Sequence, residues 1–238
     1  MSFIYFIRHG QAGPRDNYDV LSDLGRSQAR LLGEHLAGHG VELEAVYSGT
    51  LRRQRQTAEI VYDAFTRAGR AIPDVVSDER WDEFNLLSVY RSIAHRLMEE
   101  DAEFARDVEE MQEAVRKDPH ATAGATGRCD AAVVRAWMEN RYEDFEGETW
   151  ASFRGRINEC AAQFHALKNE KSIAIFTSAT PIAILTGASL GLADDKLLDM
   201  LGVIYNTGVT VMRARGDQLR LFTFNSTAHL HPSMRTFR

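Results

Sequence analysis

The stretch that decides the fold is Phe-Ile-Tyr-Phe-Ile-Arg-His-Gly, residues 3–10. Its first five residues are apolar, with aromatic and β-branched side chains, as in strands that are buried on both faces of a sheet. The run stops at Arg8-His9-Gly10, which predicts a loop directly after the strand. Buried strands of this kind occur in parallel sheets, whose binding sites lie beyond the carboxyl ends of the strands. Arg8 and His9 are therefore candidate site residues.

Two other segments predict strands that end at the same edge of the sheet. Residues 43–48 (LEAVYS) predict a short strand, and an amphipathic helix that carries Arg53 follows it. Residues 172–177 (SIAIFT) predict a second buried strand, which ends at Ser178. Because the carboxyl ends of parallel strands meet at one edge, we expect His9, Arg53 and Ser178 to lie close together.

Turn and capping signals predict the remaining elements of this part of the chain. They are a helix with Ser22 as N-cap that stops at Gly38, an edge strand over residues 75–77, a helix that begins at Pro181, and a terminal hairpin around Gly216-Asp217. Strands alternate with helices, so we expect an α/β fold: a three-layer α/β/α sandwich with a mainly parallel sheet.

The middle of the chain differs in character. It is rich in Glu, Arg, Ala and Met, which is typical of exposed helices, and residues 121–127 (ATAGATG) predict a flexible connector. We expect a helical insertion at about residues 86–147 within a single domain that spans residues 1–238.

Composition excludes several classes of protein. The chain has 238 residues, with 34 acidic against 28 basic side chains and a net charge of −6, which argues against a nucleic-acid-binding face. Its longest apolar stretches are too short for a membrane helix, and the apolar run near the N-terminus is too short for a secretory signal. The two cysteines form no pair of metal or redox spacing, which favours a reducing compartment. We expect a cytoplasmic protein that binds neither nucleic acid nor membrane.

The residues after the first strand suit a phosphate ester. A neutral imidazole nitrogen of His9 can attack phosphorus, while arginine forks neutralise the phosphoryl oxygens through paired hydrogen bonds. No group of carboxylates and histidines has metal-ligand spacing, and a covalent phosphohistidine route needs no metal. We therefore expect neither a metal nor another cofactor.

Four segments together resemble the histidine phosphatase superfamily, also called phosphoglycerate mutase-like. They are FIRHGQA (6–12), LSDLGRSQA (21–29), SGTLRRQRQTAE (48–59) and IAIFTSATPIA (173–183). The resemblance covers most of the chain, with the middle region the least constrained part. It implies that Arg8 and Arg53 bind phosphate, that His9 is the transiently phosphorylated nucleophile, and that Glu83 protonates the leaving oxygen.

The resemblance also implies substrate contacts from Gln11 and Asn17, in the loop after the nucleophile. One position departs from the common pattern, because Ser178 stands where most members have a second histidine. A serine hydroxyl still donates one hydrogen bond to a phosphoryl oxygen, but it carries no positive charge. Ser178 has an alternative role as the N-cap of the helix that follows it.

Structural alternatives exist for the other candidates too. His9 has the alternative of satisfying a loop carbonyl, and Arg52 competes with Arg53 for the phosphate role. Glu83 is singled out only by the family register, since other acidic residues precede it within five positions. His229 is a candidate replacement for the missing second histidine, although a structural role in the fold is favoured for it.

The favoured function is a metal-independent histidine acid phosphatase-type enzyme, a phosphomonoester hydrolase that acts through a phosphohistidine. Its partner is a phosphorylated substrate, a small molecule or a phosphoprotein. The alternatives are phosphoryl transfer of the phosphoglycerate mutase type and a phosphate-ester binding module with weakened catalysis. The sequence leaves the substrate and the oligomeric state open.

Overall fold

The structure is a computed structural model that describes residues 2–14, 17–118, 121, 124–165 and 172–237. Its strands are β1 (Phe3–Arg8), β2 (Ala45–Ser48), β3 (Val75–Ser77), β4 (Ser172–Thr177), β5 (Val209–Arg215) and β6 (Gln218–Ser226). Its α-helices are α1 (Asp23–Gly38), α2 (Arg52–Arg67), α3 (Leu86–Glu100), α4 (Ala102–Lys117), α5 (Ala125–Met138), α6 (Trp150–Ala162), α7 (Ala179–Leu190) and α8 (Asp194–Leu201). No helix within these described ranges is long and apolar enough to cross a membrane.

The six strands form one sheet in the order β3-β2-β4-β1-β5-β6. The first four are parallel, β5 pairs antiparallel with β1, and β6 pairs antiparallel with β5. In the register of the central pair, Phe3 lies opposite Ser172 and Arg8 opposite Thr177. The predicted, mainly parallel sheet is confirmed.

Helices cover both faces of this sheet. On one face, α1 and α2 pack through Leu32, Val61 and Phe65 against a cluster that includes Ile7 and Phe176. The crossovers β1-α1-β2 and β2-α2-β3 run in one direction along the sheet, whereas β4-α7-β5 runs in the other. α7 contacts β1 and β6, and none of its residues, all of which the structure describes, belongs to that cluster, so α7 lies on the opposite face. The predicted three-layer α/β/α sandwich is therefore confirmed.

Two glycines allow the loop after β1 to touch the start of α1. A Cβ atom on Gly10 would lie 2.5 Å from the carbonyl oxygen of Gly25, and one on Gly25 would lie 2.1 Å from the carbonyl oxygen of Gln11. Ser22 caps the helix as predicted, since its hydroxyl accepts a hydrogen bond from the amide of Gly25 at 3.0 Å. The close contact that Gly10 and Gly25 allow thus fixes the position of the residues next to His9.

The start of α7 corrects one expectation. The helix begins at Ala179, and Pro181 lies within its first turn rather than at its first position. Proline is tolerated there because the first amide groups of a helix have no intrahelical acceptor. Residues 179–187 are all buried.

The chain divides into two compact units. The first comprises Met1–Gly13, Asn17–Glu83 and Arg156–Arg238 and contains the sheet; the second comprises Pro14–Asp16 and Phe84–Gly155. The second unit holds α3, α4 and α5, with an aromatic cluster in which Phe84 stacks on Trp137 at 4.5 Å.

The expected connector is wrong in its second half. Ala125 to Gly127 form the first turn of α5, which begins after Gly124 at a φ of +64°. Thr122 and Ala123 lie outside the described residues.

Candidate active site

The candidate site lies where β1 and β4 end side by side. The chain leaves β1 towards α1 on one face and leaves β4 towards α7 on the other, so the two loops diverge and open a crevice between them. The amide of His9 donates to the carbonyl of Thr177 at 2.9 Å, which continues the strand pairing by one step. His9 and Ser178 are therefore neighbours at this edge.

His9 is a neutral imidazole with a defined tautomer. The ring is buried, with the residue only 1% exposed, and Nδ1 lies 2.8 Å from the carbonyl oxygen of Gly10. A carbonyl oxygen only accepts hydrogen bonds, so Nδ1 carries the proton and Nε2 carries the lone pair. Burial holds the pKa of His9 well below its usual value, and the guanidinium groups of Arg53 and Arg8 lower it further. Nε2 is therefore the ring nitrogen whose lone pair would make the predicted attack.

Arg53 lies directly against this lone pair. Its Nε donates to Nε2 of His9 at 3.2 Å, and its Nη1 pairs with the Asp19 carboxylate at 2.8 Å. The guanidinium also lies over the Tyr18 ring, 4.9 Å from its centroid. Its rival Arg52 is exposed. The first turn of α2 thus brings Arg53 to His9 and turns Arg52 towards solvent.

Arg8, the residue before His9, is also buried. Its Nη1 donates to the carbonyl oxygens of Ile204 and of Phe237, the latter at 2.8 Å. Burial lowers the pKa of Arg8, while Tyr18 and Glu83 act in the opposite sense. Within the described residues, Nε of Arg8 is buried without a hydrogen-bond partner. An N–H group in this state favours an acceptor ligand.

Glu83 lies at the start of α7. Its Oε2 accepts a hydrogen bond from the amide of Thr180 at 3.1 Å, a position where the helix dipole favours a carboxylate. Two of its acidic rivals have structural partners: Asp82 accepts from the amide of Thr50, and Asp78 pairs with Arg80.

Ser178 is buried and precedes α7, but its side chain makes no capping hydrogen bond. Its Oγ instead accepts from Nε2 of Gln54 at 2.9 Å. The capping alternative for the hydroxyl is therefore wrong.

Gln11 and Asn17 do not join His9 among the described residues. The side-chain oxygen of Gln11 accepts from the hydroxyl of Ser22 at 2.7 Å, so this side chain ties the loop to the cap of α1. Asn17 is exposed. Their substrate contacts stay a prediction.

The site contains residues that the sequence did not indicate. Thr57 accepts from the amide of Gly10 at 3.0 Å, and Asn206 donates from Nδ2 to the carbonyl of His9 at 3.1 Å. Thr57 lies four residues after Arg53 on the same helix and within the same sequence motif. Its position in that motif could have indicated a place in the site. Asn206 lies 197 positions from His9, in a loop without periodicity, so no sequence pattern indicates that it belongs to the site.

His229 has a hydrogen-bond partner within the fold. Its Nε2 lies 2.9 Å from the hydroxyl of Thr207, and burial lowers the pKa of His229 to about 4, with a smaller contribution from His35. The structural role favoured for His229 is confirmed. In the described part of the chain, no group of three or more His, Cys, Asp or Glu side chains is placed to hold a metal ion.

Comparison with known proteins gives matches along most of the chain. A family model described as the histidine phosphatase superfamily (branch 1) matches residues 4–133 and 127–227. The serine/threonine-protein phosphatase Pgam5, mitochondrial, of Caenorhabditis elegans is 33% identical over 113 residues, which are 39% of this chain and 40% of that protein. The match thus spans about two fifths of the curated relative.

Solved structures share the fold at low identity. YhfR of Bacillus stearothermophilus has a TM-score of 0.65 at 22% identity, covering 96% of this chain and 99% of that one. A putative alpha-ribazole-5'-P phosphatase of Escherichia coli has a TM-score of 0.62 at 19% identity, covering 97% and 100%. A mycobacterial glucosyl-3-phosphoglycerate phosphatase with inorganic phosphate has a TM-score of 0.58 at 24% identity, covering 96% and 99%.

Proposed function

We propose that this chain, which belongs to the histidine phosphatase superfamily, hydrolyses phosphomonoesters through a phosphohistidine on His9. The observation that carries the proposal is the buried, neutral imidazole whose Nε2 lone pair faces Arg53. A protonated imidazole has no lone pair for attack, so the positive charges that lower its pKa also keep it reactive.

The first step forms the bond from Nε2 to phosphorus and breaks the bond from phosphorus to the ester oxygen. Nε2 is hydrogen-bonded to Arg53 in the resting site. A phosphoryl oxygen is a stronger acceptor than an imidazole nitrogen, so a bound phosphoryl group draws the guanidinium to itself and releases the lone pair. Arg8 offers its unpartnered Nε–H to another phosphoryl oxygen.

Glu83 supplies the proton that the leaving oxygen needs. In the second step water attacks phosphorus, the nitrogen–phosphorus bond breaks, and Glu83 takes a proton from the water, which restores its starting state. The amide of Thr180 supports this carboxyl group in its ionised form between the two steps. Since arginines provide the positive charge in both steps, we expect no requirement for a metal.

The substrate is a phosphomonoester of unassigned identity. Related proteins carry the names of a serine/threonine-protein phosphatase and a glucosyl-3-phosphoglycerate phosphatase, and one solved relative holds phosphoserine. Phosphoserine, phosphorylated peptides and phosphorylated sugar acids are therefore the first compounds to test. The chain has only two cysteines, Cys129 and Cys160, both buried, and this low cysteine content supports a reducing compartment such as the cytoplasm.

The test is hydrolysis of an aryl phosphate from pH 4 to pH 8 with a chelator present, for the natural chain and His9→Ala. We expect metal-independent turnover that falls at least about 10⁴-fold in His9→Ala, as for loss of other covalent nucleophiles. The matched control is His95→Ala, which removes an exposed histidine.

Two other outcomes would replace the proposal. Binding of inorganic phosphate with no turnover and no phosphohistidine, detected as an acid-labile phosphoryl label, would indicate a binding module. Return of the phosphoryl group to a second hydroxyl of the substrate would indicate a mutase.

A further inference from the structure

Gln54 is a buried amide in contact with the one site position that departs from the family pattern. It follows Arg53 in the first turn of α2, and its side chain is completely buried. Its Nε2 donates to the hydroxyl oxygen of Ser178 at 2.9 Å and to the carbonyl oxygen of Trp81 at 3.3 Å. Neither the nucleophile nor either arginine uses this amide as a partner.

The carbonyl of Trp81 fixes which way the amide faces. A carbonyl oxygen only accepts, so the NH₂ end of Gln54 must face Trp81, and the same nitrogen faces Ser178. The other end of the amide, Oε1, points towards Gly49. A Cβ atom at position 49 would lie only 1.9 Å from this oxygen, so the amide can adopt this orientation because residue 49 is a glycine.

This orientation determines the role of the serine hydroxyl. Both amide hydrogens of Gln54 are directed to acceptors, and Ser178 Oγ is one of them. The hydroxyl has a single hydrogen of its own, and no residue in the described part of the chain accepts it. The hydrogen is thus left for a ligand in the crevice, beside His9.

We propose that Gln54 is a positioning residue, which holds Ser178 as an acceptor so that the hydroxyl hydrogen is directed to a phosphoryl oxygen. The proposal rests on the proposed function, because it assigns that phosphoryl group to this site. A hydroxyl rotates freely, whereas an imidazole donor is rigid; a fixed donor needs no reorganisation when charge develops on phosphorus. The pair of Gln54 and Ser178 thereby supplies the preorganised donor that a second histidine would supply.

The first test is a double-mutant cycle with Gln54→Met, Ser178→Ala and the double variant. Methionine keeps the length and volume of glutamine without its donors. We expect kcat on an aryl phosphate to fall about 10²-fold in Ser178→Ala, the low end for loss of one such donor, and about tenfold in Gln54→Met. The double variant should lose no more than Ser178→Ala, because Gln54 acts through the hydroxyl. Gln163→Met is the control, since it removes an exposed glutamine that bonds Cys160.

A second variant tests the polarity of the hydrogen bond and serves if Gln54→Met does not fold. In Gln54→Glu an ionised carboxylate accepts from Ser178 and takes the hydrogen away from the ligand, whereas a protonated carboxyl group donates to it as glutamine does. We expect the activity of Gln54→Glu relative to the natural chain to rise as the pH falls from 8 to 5. A constant ratio would overturn the proposal.

Orthovanadate binding separates this inference from the proposed function. If the natural chain shows no turnover, the function fails, but orthovanadate affinity should still fall by similar factors in Gln54→Met and Ser178→Ala, without multiplying in the double variant. Two results would show that Gln54 does not act through Ser178. The first is a loss in the double variant equal to the product of the two single losses. The second is an orthovanadate affinity and a kcat of Gln54→Met that both stay within twofold of those of the natural chain. Thermal unfolding of each variant confirms that it is folded.

Discussion

At the scale of single residues, Arg53 has two partners that compete with the phosphoryl group it binds in the proposed function. Its Nη1 pairs with Asp19, whose side chain is 45% exposed, while Nε bonds His9. Partly exposed pairs of this kind contribute up to about 1 kcal/mol. We predict that Asp19→Asn binds inorganic phosphate about fivefold more tightly, measured as product inhibition. Asp63→Asn, on the exposed side of α2, is the control; an unchanged inhibition constant for Asp19→Asn would contradict the prediction.

The electrostatics of His9 give a second prediction. Burial is the largest cause of its lowered pKa, and the charge of Arg53 is the next. Removing that charge in Arg53→Gln should therefore raise the pKa of His9 towards its ordinary value without restoring it. The measurement is an NMR titration of the His9 imidazole in the absence of substrate, which does not depend on activity. A pKa that stays the same or falls would show that Arg53 does not act on His9 through its charge.

At the scale of elements, two glycines of α1 have opposite surroundings. A Cβ atom on Gly25 would overlap the backbone of Gln11, at 2.1 Å from its carbonyl oxygen, whereas a Cβ on Gly38 would meet nothing within 4 Å. We predict that Gly25→Ala loses about 2–4 kcal/mol of unfolding free energy, since backbone must move, and that its turnover falls because the loop next to His9 shifts. Gly38→Ala should be neutral or more stable by up to about 1 kcal/mol. Denaturant unfolding of both variants checks this, and equal effects would contradict it.

The elements also show how far the sequence alone could predict the site. Apolar runs that stop at Arg8-His9 and at Ser178 predict strands, and parallel pairing then brings their ends together without further information. The cap at Ser22 depends on a local hydrogen bond, so local sequence is enough to predict it.

Other features depend on contacts that no local pattern encodes. Gln54 follows Arg53 on a helix, and only the packing of α2 against β4 decides that its amide meets Ser178. Asn206 reaches His9 from a loop whose position is set by β5. The connector predicted over residues 121–127 is wrong in its second half because small residues and glycines favour a connector, whereas packing keeps Ala125 and Thr126 buried in a helix.

At the scale of the whole molecule, His229 makes stability depend on pH. Its pKa is lowered from 6.5 to about 4 in the folded chain. The unfolded chain therefore binds more protons between these values, so the folded state loses stability as the pH falls from 6.5 to 4. We predict that the natural chain loses about 2–3 kcal/mol more unfolding free energy over this range than His229→Gln does.

Denaturant unfolding at pH 6.5 and at pH 4 gives the difference. His9 and His35 act in the same direction in both proteins, so the comparison isolates His229. His95→Gln should behave as the natural chain does. Equal losses in the natural chain and His229→Gln would show that the histidine is not held in its neutral form.

The bond from Arg8 to the carbonyl of Phe237 joins residues 229 positions apart. Chains are synthesised from the N-terminus at about 5–20 residues per second, so Arg8 and His9 leave the ribosome roughly 10–50 s before Phe237, which holds Arg8. β1 likewise lacks its partners until β4 and then β5 have been synthesised. A chain interrupted during translation therefore carries His9 without the contacts that hold Arg8 next to it, and we expect such an unfinished chain to lack the proposed phosphatase activity.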